Sequence, residues 1–133
     1  MPKKIMSYYF SKIVPSDFDT AIENVTAALK EEGFGILTEI DVRATFKKKL
    51  DVDFRPYKIL GACNAPFAYK ALQAEEKIGT MLPCNVIVRE TENGEVEVAA
   101  VDPVASMQAI KNEALGEIAN TVRERLKRVV ERL

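Results

Sequence analysis

The stretch Cys84-Asn85-Val86-Ile87-Val88-Arg89-Glu90-Thr91-Glu92-Asn93-Gly94-Glu95-Val96-Glu97-Val98-Ala99-Ala100 decides the fold. Pro83 introduces an apolar run from Cys84 to Arg89. Asn93-Gly94 is a strong hairpin signal, because both residues accept left-handed backbone. Glu95 to Ala100 then alternates apolar and polar residues, the pattern of a strand with one buried face and its glutamates toward water. A lone hairpin is marginally stable, so this pair needs further strands and a covering layer.

The rest of the chain supplies both. Met6 to Ile13 is rich in aromatics and partly alternates, which reads as a first strand ended by Pro15. Ser16 fits a helix N-cap with Asp19 three residues on. Phe18, Ile22, Val25 and Leu29 then recur at helical spacing, up to a stop at Gly33. Gly35 to Asp41 is a strand with Ile36, Thr38 and Ile40 on one face. Asp41 caps a short helix through Leu50, with Phe46 and Leu50 inward and Lys47, Lys48 and Lys49 outward. Pro56 precedes a strand from Tyr57 to Cys63. Asn64 caps a further short helix, with Pro66 in its first turn and Ala68, Ala71 and Leu72 on its buried side. Asp102-Pro103 ends the hairpin, and a short helical piece spans about Val104 to Ile110. A final helix runs from Glu113 to Leu133 with the stripe Leu115, Ala119, Val122, Leu126, Val129 and Leu133, roughly 30 Å long. This order predicts an α+β fold: an antiparallel sheet of about five strands covered by helices on one face. With 133 residues, one domain over 1–133 is expected.

Composition narrows the function classes. The net charge of −1 offers no cationic excess for phosphates, which argues against a nucleic-acid partner. Histidine is absent, which removes the usual general base, metal ligand and near-neutral switch. No stretch approaches the ~20 apolar residues of a membrane span, so no membrane partner is expected. Ser7, Ser11 and Lys12 interrupt Met1 to Val14, so no signal-peptide core forms there. Two cysteines without a signal point to a reducing cytoplasm.

Reactive side chains converge in one place. Cys63-Asn64 ends one apolar run and Cys84-Asn85 begins another. In neighbouring antiparallel strands the end of one lies beside the start of the next. Cys63, Asn64, Cys84 and Asn85 therefore make the candidate ligand-binding corner. Cys63 precedes a helix cap, where backbone N–H groups can favour a thiolate. The simpler reading is that both cysteines are small buried hydrophobes, and burial is expected to outweigh activation. Two cysteines with no histidine and no C-x-x-C pair fall short of a zinc site, so no metal is expected. No cofactor is identifiable. Glu39, Asp41, Glu90 and Asp102 lie near strand ends, with capping and turn duties preferred over acid–base work. Gly33-Phe34-Gly35 follows a helix and enters a strand, the reverse of a dinucleotide loop. Arg123 to Arg128 reads as a solvated helix face with a Glu124–Arg128 pair.

Three further strings join these: Gly33-Phe34-Gly35-Ile36-Leu37-Thr38-Glu39-Ile40-Asp41, Asp53-Phe54-Arg55-Pro56-Tyr57-Lys58-Ile59-Leu60-Gly61-Ala62-Cys63-Asn64, and Leu82-Pro83-Cys84-Asn85-Val86-Ile87-Val88-Arg89-Glu90. With Ala71-Leu72-Gln73-Ala74-Glu75, Asp102-Pro103 and the long last helix, the chain resembles the prokaryotic "domain of unknown function 302" family. The resemblance implies a TATA-binding-protein-like order of strand, helix, four strands and long helix. It implies no activity. A departure stands at Tyr69, near which many relatives are expected to carry histidine or another polar residue.

The first functional expectation is a cytoplasmic domain that binds or senses a small molecule at the Cys-Asn corner. A thiol-dependent enzyme or redox switch using Cys63 or Cys84 is the second. A structural homodimer or interaction module, joined through exposed strand edges, is the third.

Overall fold

The computed structural model describes residues 7–133. Met1 to Met6, and with them the start of the first expected strand and of the signal-peptide reading, lie outside the described residues. Five strands form one antiparallel sheet: β1 (Tyr9–Val14), β2 (Gly35–Asp41), β3 (Tyr57–Cys63), β4 (Cys84–Glu90) and β5 (Val96–Val101), in the spatial order β1-β5-β4-β3-β2. The helices are α1 (Phe18–Glu31), α2 (Val42–Leu50), α3 (Ala65–Ala74), α4 (Pro103–Ser106) and α5 (Glu113–Arg132), with a 3-10 turn over Glu76–Met81. The α+β order of strand, helix, four strands and long helix is the one anticipated.

Alternation sets the two faces of the sheet. Leu60 and Ala62 of β3, Val86 and Val88 of β4, and Val98 and Ala100 of β5 are buried on one face. Against them lie Val25 and Leu29 of α1 and Leu126 and Val129 of α5. Each valine or leucine among them contributes roughly 1.5–3 kcal/mol on burial. The opposite face carries Tyr57, Ile59, Asn85, Ile87, Arg89, Glu97 and Ala99, and stays partly open. Glu97 sits there, bonded by Arg89 at 2.7 Å.

Several local expectations need correction. Asp17, not Ser16, caps α1: its Oδ1 accepts from the Thr20 N–H at 2.8 Å. Aspartate at that position also faces the positive end of the helix dipole. In β2 the register shifts between Ile36 and Thr38, so Ile36 opposes Ala62 while Thr38 opposes Gly61. The extra residue, Leu37, reverses the alternation, so Ile36 does not share a face with Thr38 and Ile40. Leu50 of α2 is 65% exposed rather than inward, whereas Phe46 packs edge-on against Phe54 at 5.0 Å. Leu72 of α3 is also exposed, and Ala71 is the residue that α3 buries. Asp41 and Asp102 do cap α2 and α4, accepting from Ala44 N–H at 2.9 Å and Val104 N–H at 3.0 Å.

No helix among the described residues is long and apolar enough to cross a membrane.

Candidate functional site

Where β3 ends and β4 begins, the sheet and the α3–α5 pair leave a cavity of about 340 Å³. Ala62, Cys63 and Cys84 line it from the sheet, Phe67 and Ala71 from α3, and Ile118 and Val122 from α5. Leu37 (68% exposed) and Leu72 (44% exposed) stand on its lining and reach solvent, which marks the mouth. The lining is almost wholly apolar, and Asn64 is its one polar side chain apart from the thiols. That is the usual composition of a small-molecule site.

The two thiols differ in setting. Cys84 opposes Ala62 on the covered face and is buried, whereas Cys63 is half-buried. Burial pushes the Cys84 thiol up to about 11, with a smaller contribution from the nearby Cys63. Desolvation disfavours the thiolate, which is the opposite of activation. Both cysteines are free.

Asn64 occupies the N-cap position of α3 but makes no capping bond. Its Nδ2 instead donates to the Glu32 carbonyl at 3.3 Å. Arg125 donates to the same carbonyl at 3.0 Å and lies over the Phe67 ring at 5.2 Å. Gly33 makes this possible: its φ is +90°, and a Cβ there would meet Asn64 Nδ2 at 3.0 Å. Glycine is the residue that takes such backbone without strain.

Asn85 does not join the cavity. Next to Cys84 in a strand, it points to the other face, opposite Gly61, and is exposed. Successive side chains of a strand alternate, so a Cys-Asn pair inside one is split between faces. Tyr69 is 67% exposed and is not part of the lining either.

Glu32, unremarked in the sequence, is a buried carboxylate beside the cavity wall. Arg128 donates to it at 3.1 Å and Arg132 at 3.0 Å. The Arg128 hydrogen bond, with the charges of Arg128, Arg132 and Arg125, holds the carboxyl below its usual range despite opposing desolvation. The expected Glu124–Arg128 pair is not the one formed: Glu124 bonds Arg123 at 2.8 Å. The signal for this cluster was the recurrence of Arg125, Arg128 and Arg132 on one side of the last helix. Phe34, Met107 and Leu115 also line the cavity and were not anticipated there. Among the described residues, no group of three or more histidine, cysteine or acidic side chains could hold a metal ion.

A five-stranded antiparallel sheet with a long covering helix and a cavity at one sheet end defines the class. Residues 10–133 match the family model "Domain of unknown function DUF302", and the chain belongs to that family. It is similar to an uncharacterised conserved DUF302 protein from Bacillus stearothermophilus, known from a crystal structure. The two share 30% sequence identity and a TM-score of 0.88, over 96% of this chain and 98% of that one. No curated protein shows significant similarity to it.

Proposed function

We propose that the domain binds a small apolar molecule in the cavity between the sheet and the α3–α5 pair. The observation that carries this reading is the cavity itself: about 340 Å³, open at Leu37 and Leu72, and lined by apolar side chains with few polar groups. Apolar cavities of this size are costly to leave unfilled, since their walls lose packing partners. Cys63, Asn64 and Cys84 are its binding residues, acting as lining and not as nucleophiles. The raised Cys84 pKa weighs against a thiol enzyme, which needs a thiolate. A reducing cytoplasm would keep both cysteines as the free thiols seen here.

The test is titration with Nile red, a neutral apolar dye. Saturable fluorescence enhancement and a raised melting temperature are expected. Ala68→Phe, which fills the cavity from α3, should abolish both while leaving the fold intact. Equal dye binding by this variant would refute the assignment of the site.

The uncovered sheet face favours a second reading, a homodimer. Tyr9, Ile13 and Ile40 lie exposed there, and Arg89 and Glu97 neutralise each other. Five strands at ~4.8 Å and about six residues at ~3.3 Å give roughly 500 Å² of projected area, of the order that a stable dimer buries per partner. A second copy of the chain is the occupant that such a partly apolar, charge-neutral face suits. Light scattering should report a dimer, and Ile87→Lys, at the middle of that face, a monomer. A monomeric wild type would remove this reading.

A further inference from the structure

The cavity singles out one polar atom. Asn64 is 7% exposed, and its Nδ2 is fixed by the Glu32 carbonyl, which can only accept. That contact decides the amide orientation and leaves Oδ1 as the free end. Oδ1 makes no capping bond to α3. Among the described residues no sealed side-chain polar atom lacks a partner, so an Oδ1 that accepts nothing is not sealed. Asn64 lines the cavity, so the cavity is open space within reach of its amide. Gly33, lacking a Cβ, leaves room for the amide, and Arg125 donates to the same Glu32 carbonyl that Nδ2 uses.

From this geometry we infer that the ligand is a neutral, mainly apolar molecule with one hydrogen-bond donor directed at Asn64 Oδ1, the class of a phenol, an indole or an alcohol. The inference rests on reading the cavity as a ligand site. An acceptor in an apolar wall costs free energy when unpaired, and a ligand O–H or N–H removes that cost. A charged ligand is disfavoured, because no charged side chain lines the cavity and a buried unpaired charge is far more costly than a neutral group. Arg125 and Lys70 both lie over the Phe67 ring, and Arg125 is also held on the Glu32 carbonyl, but neither is in the lining.

The experiment compares 2-naphthol, 2-methoxynaphthalene and 2-naphthoate as competitors of Nile red on the intact chain. The first two differ chiefly in the donor, and the third adds a charge. Preference for 2-naphthol by about three- to tenfold is expected, the worth of one neutral hydrogen bond. The Asn64 side-chain amide signals in a ¹⁵N–¹H spectrum should shift with 2-naphthol and not with its methyl ether. Equal displacement by 2-naphthol and its ether would overturn the donor while leaving the apolar site standing. Tightest binding by 2-naphthoate would overturn the neutral class. If neither Nile red nor any naphthalene binds, the cavity reading fails and this inference fails with it.

Discussion

Cys84 stands directly opposite Ala62, one residue short of Cys63. The two thiols therefore sit diagonally on neighbouring strands and not as a directly opposed pair, although both line the cavity. A disulfide needs Cβ atoms that face each other at about 3.8 Å. After treatment with diamide and then unfolding, both thiols should still titrate. A linked Cys63–Cys84 peptide in the mass spectrum would contradict this.

The raised Cys84 pKa gives a second thiol prediction. At pH 7 a thiol with a pKa of about 11 is ionised to about one part in ten thousand, against about 3% for a free cysteine. Alkylation of native Cys84 should be slow at pH 7 and become fast on denaturation. Stability follows by linkage. Below about pH 8.5 both folded and unfolded states keep the proton, and this contribution is fully present. From there to about 11 only the unfolded state loses it, so stability falls as pH rises. Cys84→Ala should flatten the decline, as read by denaturant midpoints between pH 8 and 10.5.

Glu32 predicts the opposite end of the pH scale. Its folded pKa is lowered by Arg128 and the neighbouring arginines, so its contribution is complete above the ordinary carboxylate pKa of about 4.3. It is lost as pH falls through the lower folded value, because the protonated carboxyl no longer holds the guanidinium groups. Glu32→Gln should lower stability at pH 7 and make the curve flatter below pH 4.5. A variant that follows the wild-type curve in parallel down to pH 2 would show that the cluster contributes nothing specific.

These residues also mark what the sequence made legible. The β4–β5 hairpin and α5 follow from local periodicity and the Asn93-Gly94 turn, so both could be read directly. The split of Cys84 from Asn85 followed from the same alternation, and it removes Asn85 from the four-residue corner as first drawn. The bulge at Leu37 had no local signal. It depends on which residues of β3 lie opposite, and Gly61, lacking a side chain, leaves room for Thr38 there. Asn64 was legible as a helix-start residue, but its use as a tie to the Glu32 carbonyl spans 32 positions of chain. Arg128 reaches Glu32 across 96, beyond any helical spacing rule.

Val122 and Glu124 test the face of α5. Val122 is buried against the sheet and lines the cavity, while Glu124 is exposed and bonded only to Arg123. Val122→Asp should cost several kcal/mol, the order of an unpaired buried charge. Glu124→Ala should cost about 0.5 kcal/mol or less. Thermal melts of the two variants measure the difference, and similar melting temperatures would reverse the assigned face.

Two strand glycines supply the last contrast. At Gly61 a Cβ would run into Thr38 Oγ1 and come within 2.7 Å of Pro83 Cγ. The threonine can turn its hydroxyl aside. The proline ring cannot rotate away, and it is fixed to the start of β4, so the strands must part. Gly61→Ala should therefore cost about 1–3 kcal/mol, as overpacking does. It should also disturb the cavity end of the sheet, since Pro83 and Ala62 both line it. Gly35 sits in β2 with nothing within 4 Å of its notional Cβ. Gly35→Ala should change stability by no more than about 0.5 kcal/mol, and alanine's smaller unfolded-state entropy makes the sign slightly favourable. Denaturant melts of both variants read the contrast directly. If Gly61→Ala is as benign as Gly35→Ala, the close approach of β2, β3 and Pro83 is looser than described, and with it the floor of the cavity.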